Sequence, residues 1–124
     1  MKRIWFISYP SGSFRHTPTF FTAINNFAAS QDKIGIAMPH GADDDVKLTR
    51  DDIQAAELVI AEASIPSTGS GIELGWANAA GKPIVAFHQA GTVASPSLQF
   101  VNATMHTYVT EEDITQKLEE LAKQ

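Results

Sequence analysis

The sequence LVIAEASIPSTGSGIELGWANAAGKP, residues 58–83, contains an apolar run, a loop rich in Ser, Gly and Pro, and a second patterned segment. The run Leu58-Val59-Ile60-Ala61 is short and fully apolar, which is typical of a buried strand. Residues 72–80 have a helical pattern, and Gly81 with Pro83 marks the end of that helix. A strand that leads through a loop into a helix is the repeating pattern of α/β proteins.

Strands and helices alternate along the rest of the chain. The other predicted strands are apolar runs at residues 2–8, 34–38, 83–87 and 105–109. The other predicted helices cover residues 18–30, about 49–56, and the segment that follows Thr110. Their N-terminal signals are Thr17 before Pro18, and two possible capping boxes, Thr49 with Asp52 and Thr110 with Asp113. This order predicts one domain over residues 1–124, with a parallel sheet of about five strands and helices on both faces.

The composition is that of an ordinary globular protein, with 44% apolar and 19% charged residues. No apolar run approaches the roughly 18 residues that cross a bilayer, so we expect no membrane partner. The net charge of −5 argues against a nucleic-acid partner, which usually needs a basic face. The absence of cysteine excludes disulfides and thiolate chemistry, and it fits a cytoplasmic location.

The loop at residues 64–71 leaves the carboxyl end of a predicted strand and enters a helix N-terminus, the place where α/β sheets bind ligands. Free backbone N–H groups and the helix dipole favour an anion there. Gly69 and Gly71 allow close backbone approach, while Ser67 and Ser70 add hydroxyl groups. The alternative interpretation is a simple connection. The loop is one residue off the dinucleotide fingerprint, and it lacks the lysine of a P-loop.

Glu73 follows this loop directly. A glutamate at the start of a helix can simply stabilise the helix dipole. The same position also directs a carboxylate at whatever the loop binds, and a carboxylate beside a sugar can attack the anomeric carbon to form a glycosyl ester. Both interpretations stay open on the residues alone.

Residues 56–64, together with Pro66-Ser67, Gly69, Gly71, Glu73-Leu74-Gly75 and Gly81-Lys82-Pro83, resemble the nucleoside 2-deoxyribosyltransferase superfamily, and its 2′-deoxynucleoside 5′-phosphate N-hydrolase branch most closely. Weaker similarities lie in Trp5-Phe6-Ile7-Ser8 with Gly12, in His40, and in residues 91–95. The strong part of the resemblance covers residues 53–88.

The resemblance implies a single-domain flavodoxin-like (Rossmann-like) three-layer sandwich that forms a homodimer. It implies hydrolysis of the N-glycosidic bond of a (deoxy)nucleoside 5′-monophosphate. Glu73 falls on the family's nucleophile, and Ser67, with Gly69 and Ser70 beside it, falls on the 5′-phosphate site. Ser95, or Ser97 in an alternative alignment, falls on a phosphate serine that the neighbouring subunit supplies. The first loop adds Ser8, Tyr9 and Gly12 as further candidates, although Tyr9 also fits a core position.

The sequence departs from the family at one catalytic position. The family has an aspartate eight residues before the position of Glu57, where this chain has Thr49. Asp51 and Asp52 are the nearest candidates to replace it, although Asp52 also fits the capping box. The departure leaves two alternatives to the hydrolase: a deoxyribosyltransferase that exchanges bases, and an inactive protein that binds nucleotides as a sensor.

Four further polar groups have ordinary alternatives. Glu62, at a strand end, could orient the site or cap the loop. His40 and His88, near strand ends, could donate a proton or contact phosphate, or they could be ordinary surface groups. Arg15 and His16 could contact phosphate or simply be exposed. Asp43-Asp44-Asp45 lacks the spacing of a calcium loop, so a solvated turn is favoured. We expect neither a metal ion nor a cofactor.

Overall fold

The computed structural model describes residues 2–10, 17–38 and 49–124. Five strands are present there: β1 (Arg3–Ser8), β2 (Ile34–Ala37), β3 (Leu58–Glu62), β4 (Ile84–Gln89) and β5 (Ala103–Tyr108). Four α-helices accompany them: α1 (Pro18–Ser30), α2 (Arg50–Ala55), α3 (Thr68–Ala79) and α4 (Glu111–Ala122). A 3₁₀ helix at Pro96–Phe100, which the sequence did not predict, precedes β5.

The strands form one parallel sheet in the order β2-β1-β3-β4-β5. This is the flavodoxin-like order, so the predicted fold class is confirmed. The order reverses between β1 and β3, because the chain passes from β1 to one edge of the sheet and from β3 to the other. Ligands of this fold bind at the carboxyl ends of the strands at that point.

Each face of the sheet has its own core. Side chains alternate along a strand, so Trp5 and Ile7 of β1 pack in the cluster that contains residues of α1 and α4. Phe6, between them, packs in the opposite cluster with Ile53 of α2 and Leu74 of α3. The helices therefore cover both faces of the sheet, as predicted.

Helix α3 begins at Thr68, four positions before the predicted start at Ile72. Ser67 is the N-cap, and its hydroxyl accepts from the backbone N–H of Ser70 at 3.3 Å. With its N-cap at Ser67, the helix includes both glycines of the loop in its first turn. Glu73 consequently lies in the second turn of α3, and its predicted position in the first turn is wrong.

The two predicted capping boxes have different outcomes. At α4 the box is confirmed, with Thr110 accepting from the Asp113 N–H and Asp113 accepting from the Thr110 N–H. At α2 the side chain of Thr49 makes no capping bond. Its hydroxyl instead donates to the side chain of Glu73.

None of the helices within the described ranges is long and apolar enough to span a membrane. Several predicted groups lie outside the described residues: Gly12, Arg15, His16, His40 and Asp43-Asp44-Asp45.

Candidate functional site

The carboxylate of Glu73 lies next to the carboxyl end of β1, where the strand order reverses. Glu73 is 3% exposed, although Ile72, directly before it on the same helix, is exposed. Ser8, the last residue of β1, donates its hydroxyl to Oε1 at 2.9 Å. Thr49, just before α2, donates its hydroxyl to Oε2 at 2.6 Å. Three separate elements of the chain thus meet at one carboxylate.

The hydroxyl groups around Glu73 have a defined direction. A serine has one hydroxyl hydrogen, and Ser8 donates its own to Glu73. The hydroxyls of Ser8 and Ser70 are also 2.8 Å apart, so Ser70 is the donor in that contact. The hydrogen bonds therefore run from Ser70 to Ser8 to Glu73.

A carboxylate removed from water is costly unless hydrogen bonds replace its hydration. Here both oxygens accept from hydroxyls that are themselves buried, with Ser8 and Thr49 at 0% and 1% exposed. Such donors replace the lost hydration and fix the orientation of the carboxyl group. Glu73 is thus a buried carboxyl group with a fixed orientation at the carboxyl edge of the sheet.

Among the described residues of this segment, Thr49 is the one that reaches Glu73. Asp51 and Asp52 lie in the first turn of α2 and are exposed. The reason is geometric: Thr49 faces the interior beside α3, whereas the next residues follow the helix outward. The long-range contact of Thr49 with Glu73 could not be read from helical patterns, although the resemblance described from the sequence pointed to position 49.

The N-terminus of α3 provides a second feature of the site. Gly69 is exposed and Ser67 is partly buried, so both border solvent. The Ser70 N–H bonds to the Ser67 side chain, and the Gly71 N–H bonds to the Ser67 carbonyl at 3.0 Å. The amides before them belong to the end of a helix, where N–H groups have no acceptor within the helix. This geometry suits an anion.

Ser95 and Ser97 lie close to the first turn of α3 in the same chain. The Ser95 N–H bonds to the carbonyl of Ala63 at 2.8 Å, and the hydroxyls of Ser95 and Ser97 are 3.1 Å apart. A Cβ added at Gly71 would lie 3.5 Å from Cβ of Ser97, an ordinary contact distance. These serines therefore border the same helix end as Ser67.

Two other predicted residues have positions that differ from the expected site. Tyr9 is buried on the opposite face from Glu73, and its ring meets Phe21 edge to face, with centroids 5.0 Å apart. Strand alternation is the reason, because Ser8 points to one face and Tyr9 to the other. Ser70 was expected in the phosphate loop, but its hydroxyl faces inward to Ser8.

His88 is held between two threonines. Thr92 donates its hydroxyl to the Gln89 carbonyl at 2.6 Å, so it can only accept from Nδ1 of His88, 3.2 Å away. Nε2 lies 3.2 Å from the hydroxyl of Thr107, within hydrogen-bond distance. Within residues 2–10, 17–38 and 49–124, no group of three or more His, Cys, Asp or Glu side chains is placed to hold a metal ion.

No family model matches the sequence, and neither does any curated protein. Solved structures do match. The Clostridium botulinum CMP N-glycosidase BcmB is 22% identical, with 96% of this chain and 99% of that chain covered and a TM-score of 0.67. A conserved protein from Enterococcus faecalis V583 is 13% identical, with 98% and 99% covered and a TM-score of 0.64. At these identities the likeness shows a shared fold.

The contact between Thr49 and Glu73 has a measurable energetic consequence. Thr49→Val keeps the shape of the side chain and removes its hydroxyl, so Glu73 loses a donor while it stays buried. We expect the free energy of unfolding to fall by about 1–3 kcal/mol in urea denaturation. Thr49→Ser keeps the hydroxyl and is the matched control, with a smaller loss. Equal stability of Thr49→Val and the unaltered protein would contradict the contact.

Proposed function

We propose that this protein is an N-glycosidase that hydrolyses the N-glycosidic bond of a nucleoside 5′-monophosphate through Glu73. The observation that carries the proposal is the buried Glu73 carboxylate, which is bound at both oxygens and lies on the helix whose N-cap is Ser67. Ser67 and Glu73 are six positions apart, which is about 9 Å along a helix axis. Both residues therefore lie within the first two turns of the same helix, one at its N-cap and one in its second turn.

Two further findings support the same reaction class. The sequence from Ala56 to Pro83 resembles nucleotide N-hydrolases in its loop, its serine and its glutamate. The structure shares its fold with BcmB, a protein named a CMP N-glycosidase. The net charge of −5 is compatible with a small anionic substrate, because a single helix N-terminus binds one phosphate locally.

The proposed mechanism is a double displacement. One oxygen of Glu73 attacks the anomeric carbon, and the carbon–nitrogen bond breaks with its electron pair going to the base, which takes up a proton. Water then attacks the anomeric carbon of the glycosyl ester and gives up a proton. Glu73 leaves as the carboxylate, and the products are free base and (deoxy)ribose 5-phosphate.

Thr49 and Ser8 act through Glu73 in this mechanism. Their hydroxyls keep the carboxylate in one orientation, so little rearrangement is needed when it attacks. A neutral donor at Thr49 also differs from the family's aspartate, because it stabilises the carboxylate anion without adding a second charge. Ser70 supports the same arrangement through Ser8.

A nucleotide-binding protein without turnover is the second candidate, and Thr49 is the observation that favours it. Tight nucleotide binding with no release of base would support this candidate. A base-exchanging deoxyribosyltransferase is distinguished from a hydrolase by adding a second free base and analysing the mixture for a new nucleotide.

We also propose that the protein is a homodimer, as the family resemblance implies, and that it acts in the cytoplasm. Ile72 on α3, Phe100 on the 3₁₀ helix and Met105 on β5 are large apolar residues that are exposed, with Phe100 at 82%. The 3₁₀ helix packs beside α3, and Met105 points to the same face of the sheet. A second copy that covers Ile72 would pack on α3, the helix that carries Glu73.

Glu73→Gln is expected to lower kcat for release of base by on the order of a thousandfold or more, because an amide cannot form the glycosyl ester. Free base from a panel of 5′-monophosphates, separated by chromatography, is the measurement. Glu111→Gln, an exposed change at the start of α4, is the control and should leave kcat unchanged. Normal turnover by Glu73→Gln would exclude the mechanism.

Ser67→Ala is expected to act on phosphate-bearing substrates selectively. Loss of the hydroxyl removes a phosphate contact and a helix cap, so KM for a 5′-monophosphate should rise about tenfold. The matching nucleoside, which has no phosphate, should keep its low kcat/KM. An equal loss for both substrates would show that Ser67 acts through the fold alone.

Phe100→Glu is expected to convert the dimer to a monomer, because a charge would be buried in the interface. The molar mass from size-exclusion chromatography with light scattering measures this. Val109→Glu changes an exposed apolar residue outside the patch and should stay dimeric. A monomeric mass for the unaltered protein at all concentrations would contradict the proposed dimer.

A further inference from the structure

A second buried carboxylate, Glu62, lies on the other face of the sheet from Glu73. It is the last residue of β3 and is 1% exposed. Its neighbours Ala61 and Ala63 point to the core with α2 and α3, so Glu62 points towards α1 and α4. The proposed reaction makes no direct use of this group, and its burial needs another explanation.

Glu62 joins two strands that are not neighbours. The hydroxyl of Tyr108, the last residue of β5, donates to Oε2 of Glu62 at 2.5 Å. In the sheet, β4 lies between β3 and β5, and Phe87 of β4 pairs with both Glu62 and His106. The hydrogen bond between Glu62 and Tyr108 therefore crosses over β4 and links the carboxyl ends of β3 and β5.

The other oxygen of Glu62 fixes the start of the loop. The Ser64 N–H donates to Oε1 at 2.5 Å, and the Ser64 hydroxyl accepts from the Gln89 N–H at 2.8 Å. The peptide of Ala63 is bound as well, with its N–H on the Phe87 carbonyl and its carbonyl accepting from the Ser95 N–H, both at 2.8 Å. Residues 62–64 are thus bound to β4, β5 and the segment that carries Ser95.

Only Ile65 and Pro66 separate this fixed point from Ser67, the N-cap of α3. Proline has a restricted φ, so the connection is short and stiff. A shift of Ser64 would therefore move Ser67 and the first turn of α3. Glu73, in the second turn, has its own bonds to Ser8 and Thr49 and depends less on the loop.

Burial of a carboxylate is often no better for stability than a well-packed apolar residue. We propose that Glu62, together with Tyr108, is a positioning residue that sets the place of Ser67 and the α3 N-terminus for the substrate's 5′-phosphate. This inference extends the proposed function, because it assigns the phosphate end of the same site. Glu62 itself does not touch the substrate.

Tyr108 is suited to this role over a wide pH range. Burial raises the pKa of its hydroxyl far above the usual value near 10, and the bond to Glu62 and the negative charge of Glu62 raise it further. The phenol therefore stays a hydrogen-bond donor at every pH at which the reaction is measured.

Tyr108→Phe keeps the ring in the core and removes only the donor, and Glu62→Gln removes the charge. In both variants KM for a 5′-monophosphate should rise about tenfold, with kcat nearly unchanged. The matching nucleoside, which has no phosphate to position, should keep its kcat/KM and shows that the variants are folded. An equal loss for nucleotide and nucleoside in both variants would overturn the inference.

Binding of ribose 5-phosphate gives a test that does not need turnover. In NMR titrations the amides of Ser67 and Gly69 should shift in the unaltered protein, with about tenfold weaker binding in Tyr108→Phe. If this holds while no nucleotide is hydrolysed, the proposed function fails and the positioning role stands. If nucleotide is hydrolysed but both variants bind ribose 5-phosphate normally, or if residues 67–69 do not respond at all, the positioning role is wrong.

Discussion

The carboxylate of Glu73 is buried, and its two oxygens accept hydrogen bonds from Ser8 at the end of β1 and from Thr49 before α2. This interaction joins three elements that are far apart in the sequence. It also explains polar residues that would otherwise be unfavourable in a core, since Ser8 and Ser70 are buried as members of the same chain of donors. The sheet order supports it, because β1 and β3 are adjacent at the reversal point.

Two buried carboxylates flank the carboxyl end of the sheet, one on each face. Glu73 lies on the α2–α3 face with neutral hydroxyl donors, and Glu62 lies on the α1–α4 face with Tyr108 and a backbone N–H. The loop from Ala63 to Ser67 runs between them and ends at the N-terminus of α3. In the proposed reaction one carboxylate attacks the sugar, while the other fixes the loop that receives the phosphate.

The fold was predictable from local patterns, because each strand is a short apolar run and each helix has a recognisable boundary. The closeness of Ser67 and Glu73 was also predictable, because both residues lie within one short segment of the sequence. The predicted start of α3 at Ile72 was wrong, because Ser67 caps the helix and the glycines that follow it lie inside the first turn. The hydrogen bond between Thr49 and Glu73 could not be predicted from residue spacing. In the sequence Thr49 resembles a helix cap, but in the structure its hydroxyl donates to Glu73, a distant residue. Tyr9 continues the alternation of β1 after Trp5 and Ile7, so its core position followed from the strand pattern and its place among the site candidates did not.

The account depends most on a covalent bond between Glu73 and the sugar. A 5′-monophosphate with fluorine at the 2′ position slows hydrolysis of a glycosyl ester, so the intermediate should accumulate. Mass spectrometry of the digested protein should then find the added sugar phosphate on the peptide that contains Glu73, and should find none in Glu73→Gln. Release of base by the unaltered protein with the adduct on another residue, or with no adduct on Glu73, would contradict the account.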